Sequence, residues 1–124
     1  MLVVAATERE LALLEGYDTF CCGVGPVEAA LRTARSLEER RPECVVHVGI
    51  AGSRTLEPPT LVLGSEAVYC DVIDPGSTLP RVERVRADTA LLERARAALP
   101  EAHVLPIATC GKVGGGTGFD AEAM

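Results

Sequence analysis

The stretch Leu2-Val3-Val4-Ala5-Ala6-Thr7-Glu8-Arg9-Glu10 decides the fold. Its apolar run, with two β-branched residues, reads as a strand buried on both faces. A helix start follows at once. Thr7 is the candidate N-cap, and Glu10, three residues on, completes a capping-box spacing ahead of Leu11, Leu13 and Leu14. A buried strand that passes directly into a helix opens a strand-helix alternation, and the rest of the chain is read outward from it.

Residues 17–22 read as a second strand that ends at Gly23-Val24-Gly25-Pro26, where Pro26 suits the first turn of a helix. Val27, Ala30, Leu31, Ala34 and Leu37 then recur at helical spacing, with Glu28 and Arg32 placed to pair at i,i+4 on the outer face. Pro42 stops this helix near Arg41. Residues 44–48 are a third buried strand, and Gly49-Ile50-Ala51-Gly52 reads as a tight turn at its carboxyl end. Such alternation implies a parallel sheet whose ligands sit at the carboxyl ends of the strands. Residues 61–72 form an extended stretch interrupted at Gly64-Ser65-Glu66, and residues 74–80 a loop. A helix over 88–99 is stopped by Pro100. Residues 103–109 are another strand, 111–118, with five glycines, a mobile loop, and 119–124 the beginning of one more element.

Composition narrows the function classes. The 124 residues are 48% hydrophobic and 24% charged, which places the chain among soluble globular proteins of one domain at most. A net charge of −6 argues against a nucleic-acid backbone as partner and favours a small ligand. Arg32, Arg35, Arg40, Arg41 and those from Arg81 to Arg96 alternate with acids in the manner of solvated helix faces. The five cysteines, at 21, 22, 44, 70 and 110, lack zinc-site spacing and disulfide-scaffold density, and read as buried thiols in a reducing compartment. His47 and His103 sit in no ligand spacing, so no metal is expected. No run reaches the roughly 20 apolar residues of a membrane span, and residues 1–6 lack the basic start of a signal peptide; a cytoplasmic protein is expected.

The Gly23-x-Gly25 turn is a weak signal alone, because Glu28 stands where a dinucleotide fingerprint needs its third glycine. No nicotinamide or other cofactor is expected. The ordered series is more specific: Ala6-Thr7-Glu8-Arg9-Glu10 after the first strand, then Gly23-Val24-Gly25-Pro26-Val27-Glu28-Ala29-Ala30, Val48-Gly49-Ile50-Ala51-Gly52, Leu63-Gly64 before Val68-Tyr69-Cys70-Asp71, and Glu122-Ala123-Met124. In order and spacing this series resembles the nucleoside phosphorylase and nucleosidase superfamily. The resemblance implies an α/β, three-layer, phosphorylase/hydrolase-like fold with a mixed, mostly parallel sheet flanked by helices. It also implies that residues 1–124 are the N-terminal part of a single such domain, incomplete at the C-terminus.

Three branches of that superfamily compete. Gly49 to Ser53 and Cys110-Gly111-Lys112-Val113 look most like futalosine hydrolases, with methylthioadenosine/S-adenosylhomocysteine nucleosidases next and phosphorylases third. Phosphorylases usually carry an Arg before this Val-Gly and a hydroxyl after it. His47 and Ile50 stand there instead and supply neither a fork of donors nor a hydroxyl, so water is the expected nucleophile. Arg54 lies near enough in sequence to contact an anion.

Cleaving an N-glycosidic bond passes through an oxocarbenium-like sugar and needs a group to steer water and another to protonate the leaving base. The resemblance places the first role on Glu10; the capping box explains the same residue without catalysis. It places Gly49, Ile50, Ala51 and Gly52 against the sugar and base, where small residues permit backbone approach, although a tight turn alone would also want them. Lys112 and Val113 occupy the purine-holding stretch, which here carries no aromatic ring. Met124 matches the Met beneath the ribose, with Glu122 before it. The Glu that follows in relatives, and a later Asp that protonates the purine, fall beyond position 124, so the chain alone is expected to be inactive. A homodimer is the expected assembly at full length. The competing classes are a phosphorylase and a non-catalytic ligand-binding module.

Overall fold

The computed structural model describes residues 1–72, 76, 78 and 83–111. It divides into two compact units, Met1–Ile50 and Ala51–Met124.

In the first unit, β1 (Leu2–Ala5) is the middle strand of a parallel sheet, with β2 (Asp18–Cys21) on one side and β3 (Val45–His47) on the other. Leu2 pairs with both Asp18 and Val45, so the three strands run in step and their carboxyl ends lie together. All four β1 residues are buried. The pleat sends Leu2 and Val4 to one face, where they pack with Phe20, Cys22 and Ala29 of helix α2 (Pro26–Arg40). Val3 and Ala5 go to the other face and meet Leu11 of helix α1 (Glu8–Leu11), with Leu14, Cys21 and Val48. The two helices therefore cover opposite faces, giving the three layers expected from the sequence. Leu2 is fully buried, so Leu2→Ala should cost about 2–5 kcal/mol, read as a lower midpoint in urea unfolding.

Several expectations change. Helix α1 is a single turn, and Leu13, past its end, is 95% exposed. Helix α2 has its ends where Pro26 and Pro42 put them: Gly25 is the N-cap at φ 96°, and Arg41 closes the helix in the left-handed region at φ 46°, its N–H donating to the Leu37 carbonyl. Glu28 and Arg32 pair as expected, 3.7 Å apart. The stripe of Val27, Ala30, Leu31, Ala34 and Leu37, however, lies on the exposed side, with Val27 72% and Leu31 68% accessible. Small residues, Ala29 and Ser36, are covered instead, and the guanidinium groups of Arg32 and Arg40 lie over the Phe20 ring, 5.8 and 5.5 Å from its centre. Strand β3, read as buried, is half exposed because it is an edge strand within its sheet. Cys22 and Cys70 are buried, but Cys21, Cys44 and Cys110 are only partly so.

In the second unit, β4 (Val62–Tyr69) is central, antiparallel to β5 (Arg84–Arg86) and parallel to β6 (His103–Thr109), so this sheet is mixed. The expected interruption at Gly64 is a bulge within one strand: the register slips between Gly64 and Ala67 opposite Leu105 and Ile107. Pro106, without an N–H, sits opposite the slip on an edge strand. A Cβ on Gly64 would lie 2.9 Å from Ile107 Cδ1, so any larger residue there would make the Ile107 side chain shift. Helix α3 (Thr89–Ala98) starts at Asp88, whose Oδ1 accepts the Leu91 N–H, and ends before Pro100. Val68, Cys70 and Ala108 form the buried cluster, with Cys110 against it. Arg84 and Arg86, read as part of a solvated helix face, are on β5, where Arg84 pairs with Glu66. Most of residues 74–80, and all of 112–124, lie outside the described residues. Among the described residues no helix is long and apolar enough to cross a membrane.

Candidate active site

Because β1 and β3 are parallel neighbours, the segments that leave their carboxyl ends emerge side by side. Thr7, in extended backbone at φ −133° and ψ 152°, leads from β1 into α1, and Gly49-Ile50 follows β3. The capping box forms: Thr7 Oγ1 accepts the Glu10 N–H at 3.4 Å, and Glu10 Oε2 accepts the Thr7 N–H at 2.9 Å. Thr7 Oγ1 also donates to Oε2 at 2.7 Å. The other carboxylate oxygen, Oε1, reaches across and accepts the Ile50 N–H at 3.0 Å. The cap and the approach to the glycine segment thus use different oxygens of one side chain.

Gly49 makes that approach possible. A Cβ there would lie 2.9 Å from Glu10 Oε1, closer than real side chains tolerate. The glycine is required for space and not for a turn: positive φ occurs at Gly16, Gly23 and Gly25, whereas residues 49–52 run in irregular backbone with no turn. This corrects the tight-turn reading. The Ile50 side chain is 92% exposed, so its contribution to the arrangement is its backbone N–H.

Burial raises the Glu10 pKa, but the Thr7 hydroxyl, the Ile50 and Thr7 N–H groups and the charge of His47 together outweigh it and hold the carboxyl below its ordinary 4.5. Glu10 is therefore an anion at neutral pH. An ionised carboxylate only accepts hydrogen bonds, and Oε1, with one donor bound, retains capacity for another such as water.

Of the other candidate residues, Ala51 and Gly52 open the second unit and are exposed. Ser53 Oγ holds the bend that follows by accepting the Thr55 and Leu56 N–H groups at 3.2 and 3.0 Å. Lys112, Val113, Glu122 and Met124 lie outside the described residues. A contact absent from the sequence reading joins the ends of β4 and β6, where both Asp71 oxygens accept the Gly111 N–H at 2.9 Å. The sequence held no periodic signal for it, since the two residues are 40 apart. A shallow groove beside α3 and the start of β6, lined by Glu93, Arg96, Leu99, Pro100 and Val104, contains none of the candidate residues.

Residues 19–123 match the sequence profile of the phosphorylase superfamily. The chain belongs to that superfamily. Among its superfamily relatives, the 5'-methylthioadenosine/S-adenosylhomocysteine nucleosidase of Geobacillus thermodenitrificans is 33% identical over 107 residues, which cover 78% of this chain and 45% of the relative. The chain thus spans about half the length of the curated relatives it matches most fully. The solved futalosine hydrolase of Helicobacter pylori shares the superfamily fold at a TM-score of 0.84 and 17% identity, covering 98% of this chain and 74% of that one. The 5'-methylthioadenosine/S-adenosylhomocysteine nucleosidase of the same organism superposes with a TM-score of 0.84 at 17% identity, over 98% and 75% of the two chains. The expected α/β phosphorylase/hydrolase-like fold, with parallel and mixed sheets, is therefore the fold of this chain.

Proposed function

We propose that the protein carrying this chain hydrolyses the N-glycosidic bond of a purine nucleoside, with water as nucleophile, and releases the free base. The observation that carries the reading is the Glu10 carboxylate, ionised and held by Ile50 N–H and Thr7 with Oε1 turned to the Gly49 segment. In an oxocarbenium-like transition state the sugar carbon is already strongly electrophilic, so the attacking water needs orientation more than deprotonation. A carboxylate of low basicity suits that task, because it stays charged near the developing cation.

Futalosine or methylthioadenosine/S-adenosylhomocysteine is the proposed substrate, supported by the named activities of the relatives and by the motif series. Binding of sugar and base by Gly49, Ile50, Ala51, Gly52, Lys112, Val113, Glu122 and Met124 rests on their motif positions. The same resemblance supports a homodimer, a cytoplasmic location and, for a futalosine hydrolase, a place in menaquinone biosynthesis.

The test uses the protein as its gene encodes it, incubated with futalosine, methylthioadenosine, adenosylhomocysteine and inosine, with and without phosphate. Base release independent of phosphate, with ¹⁸O from labelled water entering the sugar, is the expected result. Strict phosphate dependence would make it a phosphorylase, and no release from any of the four would end the reading.

A further inference from the structure

Thr7 does more than a cap requires. As acceptor of the Glu10 N–H it makes a long 3.4 Å bond, while as donor to Glu10 Oε2 it makes a 2.7 Å bond. The Glu10 anion has no proton to give, so the proton in that short bond belongs to Thr7. With the Thr7 N–H bound as well, Oε2 takes two donors from one residue, whereas among the described residues Oε1 accepts the Ile50 N–H. The two oxygens, equivalent in a free carboxylate, are made different by Thr7.

We propose that Thr7 is a positioning residue whose hydroxyl, by occupying Oε2 of Glu10, commits Oε1 to the reacting water. The proposal rests on the nucleosidase reading of Glu10. Capping alone does not account for the short bond, since Asp or Asn caps a helix as well as Ser and somewhat better than Thr. An Asp at position 7 would accept the Glu10 N–H but could not donate to Oε2. Serine could do both.

This separates the two roles experimentally. Thr7→Ser, Thr7→Asp and Thr7→Val are compared with Glu10→Gln in the protein as its gene encodes it, reading kcat, KM, their pH profiles and the Glu10 side-chain carboxyl titration by ¹³C NMR. Thr7→Ser should retain most of kcat. Thr7→Asp should lose about tenfold to a hundredfold in kcat with KM little changed, as expected for a misdirected group, and the second carboxylate beside Oε2 should lower the thermal midpoint and displace the Glu10 titration to higher pH. Thr7→Val should lose a similar factor, with the acid limb of kcat and the Glu10 titration both displaced to higher pH. Full activity in Thr7→Asp, or an unmoved Glu10 titration in Thr7→Val, would reduce Thr7 to a cap and overturn the proposal. Should Glu10→Gln stay active, the role of Glu10 itself falls and takes this proposal with it; an inactive Glu10→Gln beside a fully active Thr7→Val defeats the Thr7 proposal alone.

Discussion

Glu10→Gln should lower kcat for base release by a factor on the order of 10² to 10³, the range for losing one group that orients a reactant and stabilises charge in the transition state. The side chain keeps its size but loses its charge beside the developing cation and one of its two acceptor oxygens. Glu10 offers acceptors on both sides, to Thr7 N–H through Oε2 and to Ile50 N–H through Oε1. Glutamine has one acceptor oxygen, so an NH₂ must face one of those donors and leave it unpaired, at a cost of about 1 kcal/mol. A second, independent signature follows in pH. The folded Glu10 pKa is below the ordinary 4.5, so the carboxylate contributes stability above that value and loses it as pH falls through the folded pKa. Urea unfolding should therefore show wild type more stable than Glu10→Gln at pH 7, with the gap closing well below pH 4.5. A gap that is the same at pH 7 and pH 3 would mean the Thr7 and Ile50 bonds do not hold the anion.

The parts of this arrangement that were legible in the sequence are those fixed by neighbours along the chain. The apolar run of β1, the Thr7–Glu10 capping box, the Gly25-Pro26 and Arg41-Pro42 limits of α2, and the Asp88 start and Pro100 stop of α3 all appear where local stereochemistry puts them. What was hidden depends on partners distant in sequence. Periodicity found the apolar stripe of α2 but could not say which way it turns; small side chains at Ala29 and Ser36 let the opposite face lie against the sheet. Strand β5 is three residues long, charged at both ends and exposed along its length, and only its pairing with Glu66 to Val68 on β4 makes it a strand.

The site divides the same way. Glu10 was marked twice, once by the cap and once by the motif series, and these readings compete when only the sequence is known. They are reconciled by the parallel register of β1 and β3, which brings Ile50 to the oxygen that the cap leaves over. Residue 50 was singled out through its motif, but what it provides is a backbone donor, a property no side-chain identity reports.

Gly49→Ala carries the second large effect, because it changes one methyl group at the closest point of that approach. Gly49 does not have positive φ, so alanine fits its backbone without strain. The added Cβ would lie 2.9 Å from Oε1 and 3.5 Å from the carboxyl carbon of Glu10. Oε2 is tied to Thr7 by two bonds, so the carboxylate cannot rotate away freely, and the strain falls on the bond from Ile50 N–H to Oε1. Displacement of a reacting group by about 1 Å can cost on the order of 10²-fold in rate, and a fall of that size in kcat is expected. Folding stability at pH 7 should fall modestly, by about 1 kcal/mol, because the close contact and the weakened Ile50 bond outweigh what alanine gains by restricting the unfolded chain. The Glu10 carboxyl should titrate nearer 4.5 as the Ile50 bond weakens. A Gly49→Ala protein with normal kcat and a displaced Glu10 titration would show that the reaction does not use Oε1, and the water-steering role would have to be sought on another side chain.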